Sequence, residues 1–440
     1  MRKSIILVFF LNFSCSPDFS DIGFSDIAFI ENNLKVVKII GGSNEDIAKK
    51  VLALDGGGFV IVGNTKSSDG HFENKNRQGN DIFLTRLNSE GQILWTNTYG
   101  GSDDDIGNDV IESSDGGFFI IGYSKSNDGD ASVNMGQHDN WLIKTNSSGS
   151  LLWEKSYGFA GHDHAYNIIK TKDGGLFFNG FLDVTASQGQ GNSSRHGVGE
   201  FWCHKVNIDG EIIWRKYFGG SNNDRSFDSI ETEDGGFILV GTTESQDIDI
   251  SNSYGSYDIW IIRLTSSGEL LWEKSLGGSA IDEGLVIIRN NHSYTILANT
   301  NSPMIDGFKT QGMSDYLLIQ LNSSGKILSK VRYGSSEFDY AKDLKQTSDG
   351  SYFITGYSRN PLNSYGVNSK NNSVFLNQIH PNGLIQNTWM LEGSDEDLGG
   401  SITQLKDGSL VLVGTTKSND GDFSTKNSLG NDVFVAILSD

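Results

Sequence analysis

Three observations predict an all-β ring. The phrase "YGGSDDDIG" at 99–107 returns in variant form, with equivalent positions at Gly41, Gly100, Gly158, Gly219, Gly277, Gly334 and Glu392, at intervals of 59, 58, 61, 58, 57 and 58 residues. Each interval holds four short runs rich in β-branched and aromatic residues and bounded by turn chemistry, which read as strands a, b, c and d. The seventh interval contains only three of these runs, while an unassigned run, "LKVVKII" at 34–40, precedes the first. Together they specify a seven-bladed β-propeller of four-stranded antiparallel blades, its ring closed by the N-terminal strand so that no sheet edge is left open at the seam.

Taken in order, the chain begins with Arg2 and Lys3, an apolar run from Ile5 to Leu11, and Cys15 after Ser14. This reads as an export signal, too short to span a membrane. It resembles a bacterial lipoprotein signal, which implies lipidation of Cys15 at the start of the mature protein; an ordinary cleaved signal is the alternative. Residues 1–15 are thus assigned to the signal, 16–33 to an acidic tether and 34–440 to the propeller. Cys203 is the one other cysteine, so an intramolecular disulfide is excluded once Cys15 is acylated or removed.

Within the blades, the a–b connections carry Asp-Gly at Asp55, Asp115, Asp173, Asp234, Asp349 and Asp407, the pair favoured in a tight hairpin with two positive-φ positions. Asn291 and His292 break this pattern in blade five. The c–d connections place glycine at Gly91, Gly149, Gly210, Gly268, Gly325 and Gly383. Ala48, Gly107, Ala165, Ser226, Gly284, Ala341 and Gly399 are all small, as expected if strands a crowd together at the ring axis. Tryptophans recur within strands, Trp95, Trp153, Trp214 and Trp272 in d and Trp141, Trp202 and Trp260 in c, which predicts packing between blades.

Lysine plus arginine number 34 against 55 aspartates plus glutamates, a formal charge of −21, which disfavours nucleic acid and anionic lipid surfaces as partners. The d–a and b–c connections emerge on one face, and much of the acid lies in them. One aspartate recurs in all seven units: Asp46, Asp105, Asp163, Asp224, Asp282, Asp339 and Asp397. Its expected role is to accept backbone N–H bonds and shape the turn into strand a; the functional reading is a carboxylate ring that concentrates cations. The "NDGD" loops, with Asp128, Asp130, Asp420 and Asp422, offer hard oxygen ligands suited to Ca2+, without the spacing of an EF-hand. Blade three departs from the others by carrying His162, His164, His196 and His204. His162, His164 and His196 fall on one face with Asp163 and form a candidate transition-metal set.

The recurrent "DGGF-I-VG" and "SSG-LLWEKSYGG" phrases, spread over 34–440, resemble those of exported bacterial β-propeller repeat proteins. The resemblance implies the fold; propellers serve unrelated tasks, so it does not by itself imply a function. Two functions remain open. One is a monomeric, non-enzymatic binding or scaffolding module, lipid-anchored in the cell envelope at the outer membrane or cell surface, that presents its acidic loop face to a protein or glycan. The other is an exported propeller enzyme, a metal-dependent hydrolase or lyase or a quinoprotein, although no catalytic constellation can be inferred from spacing.

Overall fold

The protein is described here from a computed structural model covering residues 20–23, 33–75, 77–185, 197–290, 293–305, 307–359 and 371–439. Cys15 and the signal segment, His196, and Asn291 with His292 lie outside the described residues.

Seven antiparallel sheets surround one axis, each with strand order a-b-c-d from the centre outward. Blade two shows the pattern: strand a is Asp105–Glu112, b Phe118–Ser124, c Asp139–Thr145 and d Leu151–Tyr157. Strands b and c are buried on both faces between neighbouring blades, which is why they read as continuous apolar runs. Val62 and Ile82 of blade one pack with Val110, Phe118 and Trp141 of blade two. Each side chain withdrawn from water in this way contributes roughly 1.5–3 kcal/mol. A blade alone would leave both faces wet, so the folded unit is the ring.

The seam closes as the sequence predicts. Leu34–Ile40 pairs antiparallel with Asp432–Leu438, the strand c of blade seven, and supplies its strand d. Leu34 and Ile40 are 2% and 0% exposed. Within the stretch read as a tether, Ser20–Gly23 runs parallel to strand d of blade five, Ile327–Gly334, as a fifth strand at its outer edge. The strand tryptophans pack between blades: Trp260 meets Phe201 of the preceding blade with ring centroids 4.5 Å apart.

Two expectations need correction. Outside blade one, whose turn holds Gly57 and Gly58 at φ 87° and 69°, the described a–b turns use a single positive-φ residue: Gly116 is left-handed at φ 78°, but Asp115 is not, because Ile248 is the one non-glycine with positive φ among the described residues. Gly116 N–H bonds Ser113 O at 3.0 Å and Ser113 N–H bonds Gly117 O at 2.7 Å, which closes the hairpin with a single left-handed glycine. The small residues of strand a answer to the neighbouring blade rather than to crowding at the axis. A Cβ on Gly107 would lie 2.7 Å from Ile82 Cγ2, and one on Gly284 would lie 2.5 Å from Val240 Cγ2.

Just after these small residues, every strand a contains a bulge, for example between Gly107 and Asp109. The bulges bring Lys49, Asn108, Tyr166, Phe227 and Lys342 to the axis, where they border a cavity of about 120 Å3. These side chains narrow the axis at the level of the bulges.

Candidate functional site at the mouth of the ring

The repeat aspartates are the scaffold of this mouth. All seven are fully buried at the start of strand a. Asp46 Oδ2 accepts from Gly42 N–H at 2.8 Å and Ser67 Oγ at 2.9 Å, and Oδ1 accepts from Thr65 Oγ1 at 2.5 Å. Asp105, Asp224 and Asp397 accept from matching serine or threonine hydroxyls, while Asp163 takes the N–H groups of Phe159 at 2.7 Å and Asp183 at 3.2 Å. Burial pushes these carboxyls up, against the opposing effect of their hydrogen bonds, to about 6 for Asp46 and Asp224 and about 7 for Asp397.

The "NDGD" carboxylates tie the b–c loop to the d–a loop of the same blade. Asp128 Oδ1 accepts from Ser102 N–H at 2.7 Å and Asp130 Oδ2 from Gly100 N–H at 3.1 Å; Asp420 and Asp422 do the same for Ser394 and Glu392, each at 2.8 Å. Arg77 also holds Asp130 at 2.8 Å. These bonds account for the positions of the four carboxylates. Around them the face is less uniformly negative than the sequence suggests, since Lys66 pairs with Glu45 at 2.5 Å, Lys125 with Asp103 at 3.0 Å and Lys417 with Asp395 at 3.6 Å.

Against this repeating frame, the residue after the aspartate is isoleucine in blades one and two and differs in each of the other five: Ile47, Ile106, His164, Arg225, Glu283, Tyr340 and Leu398. The residue before it varies as well, and pairs across the junction with the residue preceding strand c of the previous blade. Parallel bridges join His138 to His162, Tyr257 to Ile281, and Ser314 to Phe338. Only at the junction of blades two and three are all three variable positions histidine.

Here the structure brings His162 and His164 together with His138, with one ligand atom from each lying within 4.8 Å of the others. His138 Nδ1 is 2.9 Å from His164 Nε2 and 2.9 Å from His162 Nδ1. Tyr123 stacks on the His164 ring at 4.0 Å and 19°, and Tyr166 Oη lies 3.4 Å from His164 Nδ1. Burial, with the neighbouring imidazoles, drives His164 down to about 3 and lowers His138. His204 lies elsewhere, buried in strand c against Phe178 at 4.6 Å.

At the junction of blades five and six, Phe338, Tyr340 and Tyr357 form a half-exposed aromatic group on the same face. Tyr340 stacks on Tyr357 at 5.4 Å and 15°, and on Phe338 at 6.2 Å and 7°. Arg359 lies over Phe338 at 5.2 Å, Lys342 lies over Tyr340 at 4.7 Å, and Tyr340 Oη donates to Glu283 at 2.6 Å. Further down the axis, Lys50 Nζ meets Asp343 at 3.2 Å, and the carboxylates of Asp343, Asp109 and Asp228 raise its pKa although burial alone would lower it. Asp109, Asp228 and Asp343 also accept the N–H groups of Ile168, Ile287 and Ile402 in the next blade. Sequence reading missed both groups, as it missed His138. The signal was there in principle, in the positions that differ once the seven units are aligned.

Among solved structures, the chain is similar to the WD40 β-propeller domain of Doa1, at 11% identity and TM-score 0.48, covering 93% of this chain and 98% of that one. It is also similar to Sqt1 from Chaetomium thermophilum, at 10% identity and TM-score 0.43 with 92% and 98% covered. A protein of unknown function from Bacteroides caccae matches at 11% identity and TM-score 0.34, with 62% and 78% covered. No protein-family model matches the chain, and comparison with curated proteins gives no match. The fold of this chain is a seven-bladed β-propeller.

Proposed function

We propose that the protein is an exported, lipid-anchored propeller that binds a protein or glycan ligand through the face carrying its d–a and b–c loops. A propeller fold is consistent with a binding or scaffolding module. The observation that carries the reading is the division of labour at the mouth: the structural aspartates repeat in every blade, while the accessible positions beside them do not. Half-exposed stacked aromatics next to arginine and lysine suit a sugar face or a peptide side chain, which gain contact area there at low entropic cost. The anchor rests on the signal-like segment ending at Cys15.

Two measurements test this. The native protein should partition into detergent and Cys15→Ala should move to the aqueous phase; continued membrane association of that variant would refute the anchor. Titration of the purified propeller with envelope oligosaccharides and peptides should perturb its tyrosine and tryptophan fluorescence saturably. Phe338→Ala with Tyr340→Ala should abolish the response, whereas Leu271→Ala on an exposed strand d should not. An unaltered response in the aromatic variant would move the binding surface elsewhere.

A further inference from the structure

The histidine cluster is short of hydrogen on one side and of lone pairs on the other. A neutral imidazole nitrogen either carries a proton or offers a single lone pair. His138 Nδ1 faces two other ring nitrogens, His164 Nε2 and His162 Nδ1, both at 2.9 Å. As an acceptor it can satisfy one of them; as a donor it must divide one proton between two. Protonating the cluster would add mutually repelling charges. A cation at the point where the nitrogens converge satisfies every lone pair at once.

We propose that His138, His162 and His164 bind one zinc ion, through Nδ1, Nδ1 and Nε2 respectively. Zinc–nitrogen bonds of about 2.0–2.1 Å with tetrahedral angles separate ligand nitrogens by roughly 3.3 Å. Small ring rotations from the present contacts reach that arrangement. Three imidazoles suit a late first-row transition metal, whereas calcium and magnesium take oxygen ligands. The surroundings already orient the set. Tyr166 at His164 Nδ1 leaves Nε2 as the ligand, and Tyr123 fixes the ring plane. Asp163, between the two loop histidines, is anchored to the backbone amides of Phe159 and Asp183.

Three protein ligands leave a fourth zinc position, and His162 is exposed at the surface, so that position opens to solvent on the face where the blades differ. None of the other six junctions carries histidine at any of these three positions. The site is therefore a singular feature within a repeating frame. The proposal does not depend on the lipid anchor or on the aromatic group.

The test is calorimetric titration of the chelator-treated full chain with zinc chloride, together with absorption spectroscopy of the cobalt-substituted protein. One zinc ion per chain is expected, with intense visible cobalt bands of four-coordinate geometry. His138→Ala and His162→Ala should each weaken zinc binding by more than the roughly 10–100-fold that loss of an outer-shell partner costs, while His71→Ala and His380→Ala should leave it unchanged. Metal-free melting curves would confirm that the surface variant His162→Ala is folded. Absence of saturable binding, retention of affinity in the His138→Ala/His162→Ala double variant, or displacement of zinc by millimolar calcium would each overturn the assignment.

Discussion

Ile248 is the residue most at odds with its own repeat. It holds φ 61° where Gly70, Gly129 and Gly421 hold 61°, 66° and 56° in the equivalent loops. A side chain in that region costs about 1–2 kcal/mol. Ile248 is 49% exposed, so little buried apolar surface offsets the strain. Allowing for the greater freedom of an unfolded glycine, Ile248→Gly should stabilise the protein by about 0.5–1 kcal/mol. A urea unfolding midpoint that fails to rise would show that the loop has relaxed around the isoleucine. The same scale shows what could be read of the histidine site. His162 and His164 are neighbours in sequence, so their convergence was legible. His138 stands 24 residues before His162 in another blade, and only the bridge between blades brings it in. His196, grouped with them from sequence, lies outside the described residues.

The junction between blades is the element that repeats most strictly, and it explains a departure in the sequence. The glycine that opens each d–a loop faces an acid at the start of the preceding strand c. A Cβ on Gly277 would lie 1.9 Å from Asp258 Oδ1, and one on Gly158 would lie 2.0 Å from Asp139 Oδ1. Where glycine gives way to Glu392, the strand-c residue is Ser373, and the loss of one side chain accompanies the gain of the other. Gly277→Ala should therefore destabilise by about 1–3 kcal/mol through overpacking, and Asp258→Ser should recover part of that loss in the double variant. Strictly additive losses in a denaturation cycle would rule out this coupling. Strands and turns were legible because period and turn chemistry report them directly. The strand-a bulges were not, because an extra residue shifts side-chain alternation without leaving a compositional mark.

Across the whole molecule, the buried carboxyls act in concert on stability. Asp46 and Asp224 sit at about 6, and Asp81 and Asp397 at about 7, burial being the main cause in each. Unfolded aspartate titrates near 3.9. Between these values the folded chain holds more protons than the unfolded one, so stability falls as pH rises through the window. The melting temperature should accordingly climb as pH is lowered from 8 to 5.5; a flat or declining profile would mean that the hydrogen bonds to these carboxylates outweigh their burial. The closure of the ring carries a different implication. Asn33 Nδ2 donates to Ser439 O at 2.9 Å, so the two sides of the seam stand where every other blade has its c–d turn. In topological terms the propeller is a circle with one nick. Joining 439 to 33 through a turn like Ser147-Ser148-Gly149, and opening the corresponding turn of another blade, would yield a circular permutant with the same ring and the same histidine cluster. In such a permutant the binding face stays as it is, while Ser20–Gly23, which pairs with the outer strand of blade five, would have to reach that strand from a new point on the rim.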